Sequence, residues 1–265
     1  MSGAGWTAAV RDFSAGATRV WLWGALGWND VRHRYSGSVL GSLWITANIA
    51  LLTLCLTLVF AGPLGASHGL YAPYVAIGLV LWYFVQATLA EAPNIFVSAA
   101  ETIRHSPLPL TVQVLRLVWR NVLVFGHNVV IVPLVLLAFG IVPHPAALLA
   151  LLALPLLAAN LVSVTIILGL LGARFRDVQQ IMLSALQLLF FVTPIVWFPA
   201  ALPERVGWIA TANPIFAFID IVRAPLLGTA PAPASWPMAI GVTVVGGAVA
   251  ALAFARFRHR VSYWV

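Results

Sequence analysis

Apolar runs of about twenty residues, separated by short polar breaks, recur along nearly the whole chain. As a helix, a run of that length crosses the ~30 Å hydrocarbon core of a bilayer. The pattern predicts six transmembrane helices, at about 43–61, 73–97, 117–140, 146–172, 178–198 and 236–254. Residues 1–17 are small and polar and read as a loosely ordered tail. From Thr18 the pattern changes, with Trp21, Ala25, Trp28, Val31 and Tyr35 recurring at intervals of three and four. Arg19, Asn29, Asp30, Arg32, His33 and Arg34 fill much of the rest, which predicts an amphipathic helix over 18–36 lying in the membrane interface.

Between spans five and six the chain is too charged and too interrupted to span. Pro203 is placed to start a short helix through Glu204 to Thr211. Asn213 is a good N-cap, Pro214 suits the first helical position, and a second helix is expected to run to Leu227 before Gly228. Both read as half-depth helices. The fold class expected is an all-α integral membrane protein, with one transmembrane domain over 18–265.

One polar island stands out between the apolar runs 71–97 and 112–140. It contains Glu101, Thr102, Ile103, Arg104, His105, Ser106 and Pro107. It is long enough for a turn or two of helix, which Pro107 and Pro109 would end. A charged helical loop pinned between two membrane helices is suited to docking a partner in the adjacent water. Within the spans, Thr88, Glu91, Asn94 and Ser98 share one helical face, and Gln180, Ser184, Gln187 and Phe191 share another. Gly37 and Gly41 form a G-x-x-x-G that permits close helix packing. Pro93, Pro133, Pro155 and Pro194 are expected to kink their helices.

Composition narrows the function. Of the residues, 62% are hydrophobic and 8% charged, against about a quarter charged in ordinary soluble domains. There is no lysine, so all fourteen basic residues are arginine. A P-loop needs its lysine at the nucleotide phosphates, so no Walker A site is encoded, and a pyridoxal Schiff base is excluded too. Cys55, the single cysteine, lies in an apolar run and reads as a small core hydrophobe. The six histidines are scattered without metal-ligand spacing, so no metal site is expected. The first seventeen residues lack an apolar core of the kind a cleaved signal peptide has. Twelve arginines fall on one side of the predicted topology and only Arg205 and Arg223 on the other. Both termini and the island are therefore expected in the cytoplasm, with the chain in the plasma (inner) membrane.

Glu91 is the sharpest candidate for chemistry. A carboxylate near mid-span costs roughly 2.5–3.5 kcal/mol in lipid, so it should face protein or water. No second acidic residue lies beside it in sequence, which favours a structural or channel-facing role over catalysis. Asp220 and Arg223, at i and i+3, read as a local ion pair. The clusters Trp82-Tyr83-Phe84, Phe190-Phe191 and Trp197-Phe198 fit either bundle core and lipid-facing belts or a sliding surface for sugar rings.

The run Asn29-Asp30-Val31-Arg32-His33-Arg34-Tyr35 through Ser38-Val39-Leu40-Gly41-Ser42-Leu43-Trp44 resembles the interface-helix signature of the membrane subunits of ABC-2 type polysaccharide exporters. It departs from that pattern at Ser36-Gly37. Arg174-Phe175-Arg176-Asp177-Val178 is similar to that family's motif between spans four and five. Thr193-Pro194-Ile195-Val196-Trp197, Asn213-Pro214 and Asp220–Gly228 resemble its outer half-helices, and Val261–Val265 is most similar to its O-antigen and galactan branch.

The resemblance covers about 18–265 and implies a six-helix half-transporter that dimerises. Glu101–Pro107 would be the coupling helix that docks on a nucleotide-binding ATPase, two copies of which would serve the dimer. Asp30, Arg32, His33, Arg34 and Tyr35 would form a cytoplasmic gate. Spans one, two and five would line a path for lipid-linked polysaccharide, with Thr88, Glu91, Asn94, Gln180, Ser184, Gln187 and Phe191 on it. Asn213, Pro214, Asp220 and Arg223 would belong to the outer half-helices. No cofactor is expected in this chain, ATP and magnesium belonging to the ATPase subunit. Partners implied are a second copy, the ATPase, the polysaccharide and membrane lipid, with no nucleic acid. The competing readings are an ABC-2 permease for a small lipid or drug and an intramembrane glycosyl- or acyltransferase. The second would need clustered acids or histidines that the sequence does not offer.

Overall fold

The computed structural model describes residues 3–37, 41, 43–61, 68–106, 108–142, 144–201, 203 and 207–265. Every regular element among them is helical. Two helices, α1 (Gly3–Thr18) and α2 (Val20–Arg34), precede the first apolar span, α3 (Leu43–Phe60). Helix α4 (His68–Glu91) runs through a 3-10 turn at Ala92–Asn94 into the short α5 (Ile95–Ser98) and α6 (Ala100–His105). Next come α7 (Leu110–Asn128), α8 (Ile131–Ala138), α9 (Leu149–Arg174) and α10 (Val178–Val192). The chain closes with α11 (Trp208–Thr211), α12 (Pro214–Leu226) and α13 (Ser235–Trp264).

Among the described residues five helical stretches are long and apolar enough to cross a membrane: Leu43–Phe60, Leu70–Ser98, Leu110–Ala138, Pro145–Arg174 and Ser235–Trp264. The second is the centre of the bundle. Of its apolar window 72% is buried, against 17% for α3 and 22% for α13, and every residue from Tyr71 to Trp82 is buried. An all-round apolar sequence suits an enclosed helix as well as a lipid-facing one. Here only neighbouring helices distinguish α4 from α3, whose Leu51, Leu54 and Leu58 stay exposed.

The predicted boundaries need four corrections. The expected tail is a helix, because α1 buries Ala9, Asp12 and Gly16. A Cβ on Gly5 would lie 2.9 Å from the Ala255 carbonyl oxygen, and one on Gly16 would lie 2.7 Å from Thr111 Cβ. Docking supplies the stability that local propensity does not. Span three starts at Leu110, enclosing Arg116 and Arg120, and breaks after Asn128. That break falls where the ring of Pro133 would clash with the carbonyl four residues back. Span five ends at Val192 rather than Phe198, because a residue before proline is pushed out of the helical region and Thr193 takes ψ 132. Fifteen residues make about 22 Å of helix, less than the ~30 Å hydrocarbon core. The last helix continues past Phe254 to Trp264, carrying Arg258 onto Asp12 of α1.

Gly37 and Gly41 have φ of +82° and +54°. They are turn glycines rather than a helix-packing motif, since only glycine adopts that region without strain. Residues 62–65, Ser38–Leu40, Ser42, Pro107, Pro143, Glu204 and Arg205 lie outside the described residues. Of the first expected half-depth helix, only the single turn of α11 is described; the second, α12, is present as expected.

Candidate functional site

At the arginine-rich end of the bundle the sequence-predicted gate and path residues converge on one ionic cluster. α2 packs on α7 through Gly27, where a Cβ would lie 2.9 Å from Trp119 Cδ1, and through a T-shaped Trp23–Trp119 pair with centroids 5.8 Å apart. This close approach brings Asp30 within reach of Arg116, whose Nε and Nη2 donate to its two carboxylate oxygens at 2.7 and 2.5 Å. One turn on, Arg120 lies 4.0 Å from Asp30 and donates to Glu91. Glu91 also accepts from Arg34 Nη2 at 3.0 Å. The result is a ring of charges, Asp30–Arg120–Glu91–Arg34, that closes through the α2 backbone and links α2, α7 and the last residue of α4. Three guanidinium groups against two carboxylates leave it with a net positive charge. Tyr35 lies beside it with its hydroxyl buried, and burial pushes the phenol pKa up although Arg34 and Arg120 oppose the shift. Arg32 and His33 are exposed on α2 and make no ion pair with Asp30 or Glu91.

The ring opens onto a polar cavity of about 370 Å³, also lined by Asn94, Ser98, Thr102, Gln113 and Gln179. Thr102 belongs to α6, the predicted coupling helix, so cluster and coupling helix share one cavity. α6 is otherwise exposed: Glu101 and His105 form a 3.4 Å pair with side chains 85% and 76% accessible. A pair in that much water adds little stability. Arg104 reaches back to the main-chain oxygen of Val265, which ties α6 to the end of α13. Ser106 is extended and ends the helix.

Glu91 is therefore no solitary mid-span carboxylate. It closes α4 at the bundle end and is paired twice. Thr88, predicted on the wet face, is fully buried. It donates to Phe84 O at 2.9 Å and accepts from Asn121 Nδ2 at 3.2 Å. Because α4 is the enclosed helix, one row of polar side chains passes from a sealed contact at Thr88 to the open cavity at Asn94.

Gln180, Ser184, Gln187 and Phe191 are all exposed on α10. Between α3, α4 and α10 lies a cleft of about 210 Å³ lined by Leu52, Trp82, Tyr83, Gln86, Gln187, Phe190 and Phe191 among others. Trp82 and Phe190 stack in a tilted pair 5.6 Å apart. The aromatic clusters thus contribute both to the core, where Trp82 and Phe84 are buried, and to the wall of a cleft. Amides and aromatic planes are the two surfaces that hydroxyl-rich, C–H-faced rings can exchange between.

At the opposite end, Asn213 behaves as expected. Its Oδ1 caps α12 by accepting from Ile215 N at 2.9 Å, beside Pro214, and its Nδ2 donates to Thr193 Oγ1 at 2.8 Å. The expected Asp220–Arg223 ion pair does not form. Asp220 accepts from Ala232 N and Ser235 Oγ at 2.8 and 2.6 Å, fixing the start of α13. Arg223 is buried, lies 3.6 Å over the Tyr74 ring and donates to Pro194 O at 2.8 Å. Tyr74 on Trp197 O at 3.0 Å and Tyr71 on Val196 O at 2.6 Å take two more of the carbonyls beyond the end of α10. Irregular backbone at membrane depth requires such partners.

Sequence reasoning missed Arg116, Arg120 and Asp12. The first two, four apart on one face, could have been read as a pair facing Asp30. Asp12 is buried and accepts from Leu110 N, Thr111 N, Thr111 Oγ1 and Arg258, capping α7 from another helix, and nothing local in the sequence announces it. Among the described residues no three His, Cys, Asp or Glu side chains are grouped to hold a metal.

Several helices long and apolar enough to cross a membrane make this a multi-pass membrane protein, and the family its sequence matches makes it the membrane subunit of a transporter rather than an enzyme. The chain belongs to the ABC-2 type transporter family, whose profile matches residues 22–227. Two O-antigen export system permease proteins RfbA of Klebsiella pneumoniae are each 27% identical over 194 residues, covering 72% of this chain and 74% of theirs. A protein of the same name from Myxococcus xanthus is 25% identical over 174 residues, 63% of this chain and 65% of its own length.

Proposed function

We propose that the chain is the membrane half of an ATP-driven exporter that moves a lipid-linked polysaccharide of the O-antigen or galactan type out of the cytoplasm across the plasma (inner) membrane. The observation that carries the reading is the aromatic–amide cleft between α3, α4 and α10. A sliding sugar polymer needs hydrogen-bond partners it can exchange and flat apolar faces, without a deep charge trap. Gln86 and Gln187 beside Trp82, Phe190 and Phe191 supply both. The similarity to O-antigen export permeases supports the same substrate class.

In this reading two copies form the path, both termini face the cytoplasm, and two separate ATPase subunits bind ATP and magnesium. Those subunits press on α6. The push passes through the cavity shared by Thr102 and Glu91 to the ring holding α2, which acts as the gate. Moving such a gate from 1:99 to 99:1 takes about 5.5 kcal/mol of differential binding. The test is export in cells lacking the chromosomal copy and carrying a plasmid copy. The wild-type chain should restore surface polysaccharide, whereas Gln187→Leu with Phe191→Ala should leave lipid-linked polymer on the inner face at normal protein levels. Unchanged surface polysaccharide in the deletion itself would sink the substrate assignment.

A further inference from the structure

Helix α1 lies outside the residues matched by the family profile, yet it is organised with unusual regularity. Three stripes run along it, each with the three- and four-residue spacing of a single helical face. Ala9, Asp12 and Gly16 are buried. Ala8, Arg11 and Ala15 line a cavity of about 550 Å³ shared with Arg258, His259 and the Ser106–Leu110 segment. Trp6, Val10 and Phe13 are 46%, 53% and 45% exposed and touch that cavity nowhere. The apolar stripe is therefore on the side of α1 turned away from the coupling segment. A polar strip with exposed Ser14 and Thr18 separates it from the cavity.

The axis of α1 is fixed as well. Gly5 abuts Ala255 near the end of α13, and Gly16 abuts Thr111 at the start of α7. The helix thus lies across the arginine-rich ends of two apolar helices, α7 and α13.

We propose that α1 is an interfacial membrane anchor, with Trp6, Val10 and Phe13 set into the headgroup–acyl boundary of the leaflet nearest α6 and Arg11 and Arg19 on the opposite, cavity side toward water. Three features favour lipid over a protein partner. Tryptophan and phenylalanine on one face and arginine on another match a helix lying in the interface. The stripe is continuous in kind with Trp21 and Trp28 on the adjoining α2, which are 74% and 54% exposed. The protein-facing side is already occupied by small residues and the Asp12 contacts, which leaves Trp6, Val10 and Phe13 uncovered by any other part of the protomer. By this anchoring the ends of α7 and α13 are held at the membrane surface on either side of the coupling segment.

The test uses the full chain with Cys55→Ser, carrying one bimane-labelled cysteine at position 10, 13, 14 or 18. Each variant, Val10→Cys, Phe13→Cys, Ser14→Cys and Thr18→Cys, is placed in vesicles of phosphatidylcholine and phosphatidylglycerol. All four substitutions are at exposed positions, and a monodisperse profile in detergent confirms that each has folded. Spin-labelled lipid should quench the labels at 10 and 13 severalfold more than those at 14 and 18, and aqueous iodide should show the reverse order. Labels at 10 and 13 as open to iodide as that at 14 would overturn the proposal. So would labels at 10 and 13 shielded from both quenchers, which would mean that a protein surface covers the stripe.

Discussion

Asp12 shows how much one side chain can organise at the end of a membrane bundle. Its carboxylate, with a side chain 1% accessible, receives two main-chain N–H groups that open α7, the Thr111 hydroxyl and the Arg258 guanidinium. A negative charge at a helix N-terminus is favoured by the exposed amides and the helix dipole, and Arg258 offsets the cost of burying it. Replacing it removes every partner at once. Asp12→Ala is expected to lower stability by about 3 kcal/mol, the range for breaking a buried pair from one side. Asp12→Asn, which keeps an acceptor for the amides, should cost less. Denaturant unfolding of the purified chain in detergent checks both, and an Asp12→Ala protein as stable as wild type would make the cap incidental. The ring at Asp30 and Glu91 is more exposed, with side-chain accessibilities of 19% and 35%, so its members serve to hold α2 in place more than to stabilise the bundle.

Elements were legible in the sequence in proportion to how local their causes are. Long apolar runs, the Asn213-Pro214 start of α12 and the α6 island were readable because length, capping and proline act over a few residues. The helix α1 was not, since its stability comes from contacts at Ala255 and Thr111 far along the chain. The burial of Thr88 was equally hidden, because only the bundle decides which side of an apolar helix is enclosed. The break in span two falls between these cases. Pro93 announced a kink, but the reason it is tolerated lies in α9, where Gly172 lets the Pro93 carbonyl approach. A Cβ there would sit 2.0 Å from that oxygen, and one on Gly169 2.7 Å from Ile95 Cγ2. The 3-10 turn Ala92–Asn94 joins Glu91 in the ring to α5 and α6, so its position relative to α9 sets the geometry between α6 and the ring. Gly172→Ala should therefore cost about 1–3 kcal/mol of stability through overpacking and, at matched protein levels, reduce export more than Gly126→Ala, a site with open space around it. Thermal unfolding and surface polysaccharide measured on both variants decide it; equal export would mean the clasp carries no motion.

At the scale of the whole molecule, α6 and the ring share one cavity, and in the proposed function that connection extends to the cleft between α3, α4 and α10. Glu101→Ala with Arg104→Ala is expected to weaken co-purification of the ATPase and to reduce export, with a change in the unfolding midpoint no larger than the loss of the Arg104–Val265 contact brings; normal export by the double variant would make α6 a passive loop. The path itself can be tested from the faces of α10. Gln180, Ser184, Gln187 and Phe191 lie along one face, while Ile181 and Leu188, 64% and 70% exposed, lie about a quarter-turn round the helix. In the isolated protomer both faces are bare, so exposure alone does not tell water from lipid. Chemistry does, since a charged thiol reagent needs both water to carry it and an ionised thiol to attack it. In a Cys55→Ser background, cysteines at 180, 184 and 187 should react severalfold faster than those at 181 and 188. Leu186→Cys, at a position 2% exposed, and Thr88→Cys should stay protected throughout. Adding the ATPase and ATP should change the rates at 184 and 187 but not at 181, since only a path opens and closes. If 181 and 188 react as fast as 184 and 187, the polar row is not a lining. If none of the five reacts in any nucleotide state, α10 faces lipid or protein all round and the path lies along other helices.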